Sequence, residues 1–161
     1  PIMYQSPAGV SSVHPYLASG TASALRVDLS SLSFPPPLPL DMQHSAFNPP
    51  LTRLTLEFQN IHPLWTAKIR VSQGSYVSVS ILLEHIYRHI RSPLRREQDL
   101  EIPSERRVLA NSYYCRRVQM DPRQARAPMI LLDLLGAETM FAGLVPKAGD
   151  PETWIVQFTA A

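Results

Sequence analysis

One cysteine, two lysines and six glycines are all that 161 residues contain of these three types. With Cys115 alone, no intrachain disulfide can form, and a reducing compartment is the simplest fit. So few glycines leave no glycine-rich phosphate loop, and neither a GxSxG elbow nor an HExxH zinc motif occurs. No apolar run approaches the ~20 residues needed to span a bilayer. No charged start followed by an apolar stretch opens the chain, and no N-x-S/T acceptor is present. A soluble, intracellular protein (cytoplasmic or nuclear) is the expectation. Neither zinc-finger spacing nor an RNA-binding aromatic signature is found, and no cofactor is expected.

Proline is the residue in excess, at 16. Nine of these fall in residues 1–50, including "FPPPLPL" (Phe34 to Leu40), with nine serines and only Arg26, Asp28 and Asp41 as charges. Proline fixes φ and removes a backbone donor, which disfavours helix and central strand here. Large apolar groups recur nevertheless, among them Val13, Leu17, Val27, Leu29 and Phe47. A disordered linker carries few of these. Residues 1–50 therefore read as an extended proline-rich arm packed along the body, and "PPPLP" as a weak polyproline recognition segment.

Residues 51–161 read as a compact α+β core that forms one domain with the arm. "LTRLTLEF" alternates Leu54, Leu56 and Phe58 with Arg53, Thr55 and Glu57, the pattern of a half-buried strand, and "TAKIRV" follows as a second. Ser78 or Ser80 caps a helix that Pro93 ends, with Val79, Leu82, Leu83, Ile86, Tyr87 and Ile90 as its core stripe. A second helix runs from Ser104 to about Met120, with Val108, Asn111 or Ser112, Cys115 and Val118 expected inward. "MILLDLL" is a short strand or helical turn, Gly136 a turn, and "TMFAGLV" and "TWIVQFT" two final strands, with a kink or bulge at Gly143. The order predicts an antiparallel sheet of four or five strands with two main helices on one face.

The pieces "HPYL", "FNPPLTRLTLEF", "VSVSILLEHIYRHIRSPL", "ERRVLANSYYCRR" and "LLDLLGAETMFAGL", with Trp154, occur here in a fixed order. In that order and spacing the chain resembles an uncharacterised domain family, mostly from basidiomycete fungi. The resemblance runs from His14 nearly to the end. It implies one domain that includes the proline-rich part, and no activity, cofactor or catalytic residue. Family members often carry tryptophan before the aspartate where this chain has Val27 and Asp28.

His85 and His89, four apart, emerge on one side of their helix. A zinc site needs a third ligand and usually a fourth, and flanking arginines repel a cation, so no metal is expected. The two imidazoles, with Asp133 in "LLDLLG", are instead pocket candidates. The bland reading of Asp133 is a hydrogen-bonded turn or an ion pair with an arginine. Thirteen arginines supply most of the positive charge, and ten lie between Arg88 and Arg126 among only five acids. The anion-binding candidates are Arg88, Arg91, Arg95, Arg96, Arg106, Arg107, Arg116 and Arg117, because the guanidinium fork grips carboxylate and phosphate bidentately. Self-paired helix-surface charges are the bland alternative. Cys115 stands beside Arg116 and Arg117, yet its expected inward position makes it a structural thiol.

The expectation is therefore a non-catalytic interaction module that binds a protein or anionic partner through the arm or the arginine-rich helices. Nucleic acid is a less favoured partner. The rivals are an enzyme or small-molecule binder with a site assembled by tertiary contact, and a homo-oligomer formed through the arm or a sheet edge.

Overall fold

The computed structural model describes residues 4–5, 12–20, 25–30, 43–59, 61, 65–126 and 128–160. "FPPPLPL" lies outside them, as does much of the turn expected after Phe58. Eight strands are described: β1 (Tyr4–Gln5), β2 (Ser12–Val13), β3 (Val27–Asp28), β4 (Phe47–Asn48), β5 (Arg53–Glu57), β6 (Thr66–Arg70), β7 (Met140–Pro146) and β8 (Thr153–Thr159). Four α-helices accompany them: α1 (Val79–Ile90), α2 (Arg96–Glu101), α3 (Ser104–Met120) and α4 (Leu131–Leu135). The strands form a small sheet in the order β1-β2-β4 and a five-stranded sheet in the order β3-β7-β8-β5-β6.

The α+β class and the four long strands are as predicted, but the large sheet is mixed rather than wholly antiparallel. β8 pairs antiparallel with β7 and parallel with β5, with Leu56 opposite Trp154. The helical segment between β6 and β7 returns the chain so that the final hairpin inserts β8 beside β5. Trp154, Val156 and Phe158, alternate residues on one face of that central strand, are in the core, whereas Ile155 and Gln157 on the other face are half-buried.

Described parts of the first 50 residues belong to the same core. Val13, Leu17, Leu29 and Phe47 are each at most 1% exposed, and Val27 is 7%. β3 lies on the sheet edge at β7, and Phe47 packs on Trp154 with ring centroids 5.2 Å apart. "HPYL" forms a short 3-10 turn (Pro15–Leu17), whose first amide, that of Tyr16, donates to His14 Nδ1 at 3.1 Å. Gly143 makes this docking possible. Its φ of +115° coincides with a bulge in β7, and a Cβ there would stand 2.7 Å from the Ser19 backbone.

Ser78 Oγ accepts from Ile81 N and caps α1, whose Val79, Leu82, Leu83, Ile86 and Ile90 are all buried. Pro93 cannot continue the helix. Instead, Leu94 N donates to Met129 O and Leu131 N to Ser92 O, tying the end of α1 to the start of α4.

The interior of α3 differs from expectation. Val108 is 72% exposed, and Asn111, Ser112 and Cys115 are exposed as well, while Val118 is half-buried; Ala110 is the one buried residue of α3. The inward stripe is Arg106, Ala110, Tyr113 and Arg117, spaced i, i+4, i+7 and i+11. Two arginines reach acceptors on α4: Arg106 Nη1 donates to Leu134 O at 3.2 Å, and Arg117 to the Asp133 carboxylate. Long arginine stems cover apolar surface while their heads find partners. α3 thus faces α4 through its cations, and Cys115 is a surface thiol rather than a buried one.

Candidate functional site

A groove of about 470 Å³ runs between the edge strand β6 and helix α1. Thr66, Ala67 and Lys68 form one wall in succession, and His85, Arg88, His89 and Ser92 of α1 form the other. Pro93, Arg95, Gln98 and Leu131 close one end. No carboxylate is among these residues.

Each side chain has a local reason for its place. Helical spacing puts His85, Arg88, His89 and Ser92 on one side of α1, next to its buried stripe. Gln98 Oε1 accepts from Arg95 N at 3.0 Å, which fixes the chain where it enters α2. His85 Nδ1 bonds with Ile81 O at 3.0 Å, holding its ring against its own helix. Arg88 pairs with Glu84 at 2.6 Å, a solvated i,i+4 contact that leaves the Arg88 side chain 74% exposed. Such a pair contributes roughly 0.3–0.5 kcal/mol, so a competing anion can displace it.

His89 is the unusual member. Its ring lies over Phe58, with centroids 4.6 Å apart, and its Nε2 is shielded from water without a hydrogen-bond partner. Burial, and secondarily the Arg95 charge, hold its pKa below the ordinary imidazole value. A neutral imidazole with an unmet nitrogen is poised to gain a partner, and an arriving negative charge would draw a proton onto it.

The other arginine candidates are not gathered here. Arg91 lies 3.5 Å above the Tyr87 ring and donates to Tyr87 O. Burial lowers its pKa. Arg107 pairs with Asp99 at 2.8 Å and also donates to the Asp99 carbonyl. Arg106 and Arg117 face α4, Arg116 stands 5.0 Å from the Tyr113 ring centroid, and Arg96 is exposed on α2. The arginine-rich span is thus divided among several structural duties, and Arg88 and Arg95 are the two that line the groove.

Asp133 does not line it either. The residue is 2% exposed, and its carboxylate receives Arg117 Nε at 3.1 Å and Nη2 at 2.8 Å and accepts from Ile130 N at 3.0 Å. It caps α4 and anchors α3, and this accounts for its acceptor sites. Among the described residues, no three His, Cys, Asp or Glu side chains stand together as metal ligands.

The sequence reading missed the cations of the strand itself. Across β5 and β6, Arg53 opposes Arg70 and Thr55 opposes Lys68, which places these four on the sheet face away from Leu54 and Ile69. They line a shallow hollow of about 160 Å³ in which Glu152 pairs with Arg53 at 3.3 Å. The signal was present in "TAKIR", where alternate positions of a short strand carry Lys68 and Arg70.

No described helix is long and apolar enough to cross a membrane. No curated protein matches the chain, and no solved structure does. The model of a family of unknown function (DUF6699) matches residues 17–152, most of the chain, and the protein belongs to that family.

Proposed function

We propose that the chain is a non-catalytic interaction module that holds an anionic group of its partner in the groove between β6 and α1. The observation that carries this reading is the lining: it brings together Arg88, Arg95, His85 and His89 with no carboxylate among the lining residues, Arg88 having Glu84 as a solvated partner outside it, and His89 Nε2 is unpartnered. Guanidinium forks suit a carboxylate or phosphoryl group, and a negative charge held beside the buried His89 ring favours its protonated form. Asp133 is committed to Arg117 and Ile130, and among the described residues no carboxylate lines the groove.

Pyrophosphate serves as the test probe, followed by the imidazole resonances of His85 and His89 at low salt. The expected result is a shift of His89 toward its protonated form. Affinity should be higher at pH 6 than at pH 8, and about tenfold weaker in Arg88→Ala or Arg95→Ala. Imidazole resonances that stay fixed up to saturating probe, or binding indifferent to both substitutions, would refute the reading.

A further inference from the structure

The groove has a second property, which bears on what kind of partner brings the anion. Its strand wall is the backbone of a sheet edge. β6 stands last in the five-stranded order, and among the described residues only β5 pairs with it. Val71 N donates to Thr52 O, and Phe58 N to Trp65 O, so odd-numbered residues of this strand turn their amides toward β5. By the two-residue alternation, Thr66, Lys68 and Arg70 turn theirs to the open side. Thr66 and Lys68 are also the groove-lining residues.

We propose that the partner is an extended acidic segment of another protein, which adds as a sixth strand along β6 and places carboxylates against cations on both faces of the edge. The proposal rests on the anion-binding reading of the groove and adds the backbone pairing. A strand laid beside β6 alternates its side chains between two faces. On one face it meets Lys68 and Arg70, with Arg53 beyond them on β5. On the other it meets Arg88, Arg95, His85 and His89. Main-chain hydrogen bonds then supply affinity, and charge supplies selection. The same charges disfavour a second copy of this chain as occupant, since two β6 edges would bring Lys68 and Arg70 against their own kind. A nucleic acid would satisfy the cations, but its phosphates only accept hydrogen bonds and leave the outward carbonyls of the strand without donors.

The test uses a peptide of about ten residues repeating Glu-Glu-Val-Val, which sets carboxylates on both strand faces, a glutamine-for-glutamate control, and a glutamate peptide N-methylated at alternate amides. Calorimetry gives affinity, and amide hydrogen exchange reads the strand. The glutamate peptide should slow exchange at Thr66, Lys68 and Arg70 by at least about tenfold, with little change at Ala67 and Ile69, which already face β5. The glutamine peptide should bind about tenfold or more weakly, and the N-methylated peptide should lose the protection. Lys68→Pro removes an outward amide without touching the ladder to β5 and should abolish the protection while pyrophosphate still binds. If that variant does not fold, Lys68→Glu, which keeps the amide and reverses the charge, should weaken the peptide specifically. Peptide binding without protection of the three amides overturns strand addition, as does equal binding of the N-methylated peptide. An oligonucleotide that outcompetes the peptide overturns the choice of partner. Should pyrophosphate bind while the peptide does not, only strand addition fails. Should neither bind, the anion-binding reading fails with it.

Discussion

Replacing Arg117 with methionine tests the orientation of α3. Arg117 delivers two hydrogen bonds to Asp133, at 3.1 and 2.8 Å, and a third to Gln124 Oε1 at 2.8 Å. Its side chain is 16% exposed and that of Asp133 only 3%. Methionine retains most of the apolar stem but strands the carboxylate, leaving it the Ile130 amide as its remaining described partner. Removing one partner of a buried pair costs about 3–5 kcal/mol, mostly the penalty for the charge left behind. Against a typical total of about 5–15 kcal/mol, that is a large share. Asp133→Asn in the same background removes the stranded charge and should recover part of the loss. The opposite face supplies the control. Val108 is 72% exposed, so Val108→Asp should change stability by no more than about 0.5 kcal/mol. Urea titration monitored by tryptophan fluorescence and circular dichroism gives both values, with the slope unchanged if the native fold persists. A cost below about 1 kcal/mol for Arg117→Met, or above about 2 kcal/mol for Val108→Asp, would refute this placement of α3.

Two further outcomes follow. Gly143→Ala must bring its methyl group against the Ser19 backbone at a φ that L-residues avoid, so a loss above about 2 kcal/mol is expected, with faster amide exchange at Ser19 as the local readout. For His89, burial depresses the folded-state pKa below the ordinary 6.5, so on acidification the unfolded chain binds this proton first. Stability due to this group is therefore full above about pH 6.5 and declines below it until the folded imidazole also protonates; thermal melts should show a shallower acid slope in His89→Gln, and an equal slope would contradict the burial.

Elements governed by local chemistry were legible in the sequence. Period-two alternation gave β5, β6, β7 and β8, and Ser78 and Pro93 bounded α1 correctly. Asp133 could be read as an ion-paired turn residue because a lone carboxylate in an apolar run needs a partner, although the choice of Arg117 required the fold. The parallel pairing of β5 with β8 was not legible, since no local signal states where a returning hairpin inserts. Helix α2 was missed because its six residues, "REQDLE", have no apolar stripe. α3 misled for a related reason. Val108, Cys115 and Val118 supply an apolar spacing, whereas Arg106 and Arg117 look like solvent residues until acceptors on α4 come into view. When the partner surface carries a buried carboxylate and a free carbonyl, the cationic face is the one that docks.

The same logic explains why arginine density pointed to the right chemistry but spread it over too many residues. Cations close in sequence share a site only if nothing nearer claims them, and Tyr87, Asp99, Leu134 and Asp133 claim Arg91, Arg107, Arg106 and Arg117. Arg95 lines the groove from beyond the end of α1, where Pro93 prevents the helix from continuing, so a helix-stop signal rather than a charge pattern bears on its position. Part of the candidate surface is backbone, the outward amides of Thr66, Lys68 and Arg70, which no residue-type pattern encodes. A strand becomes an edge only when the rest of the sheet has been placed. The hint available beforehand is the pair of cations on alternate positions of β6, because charged residues on a short strand are how sheets keep unwanted edges apart. A basic edge excludes its own copies for the same electrostatic reason that it admits an acidic chain.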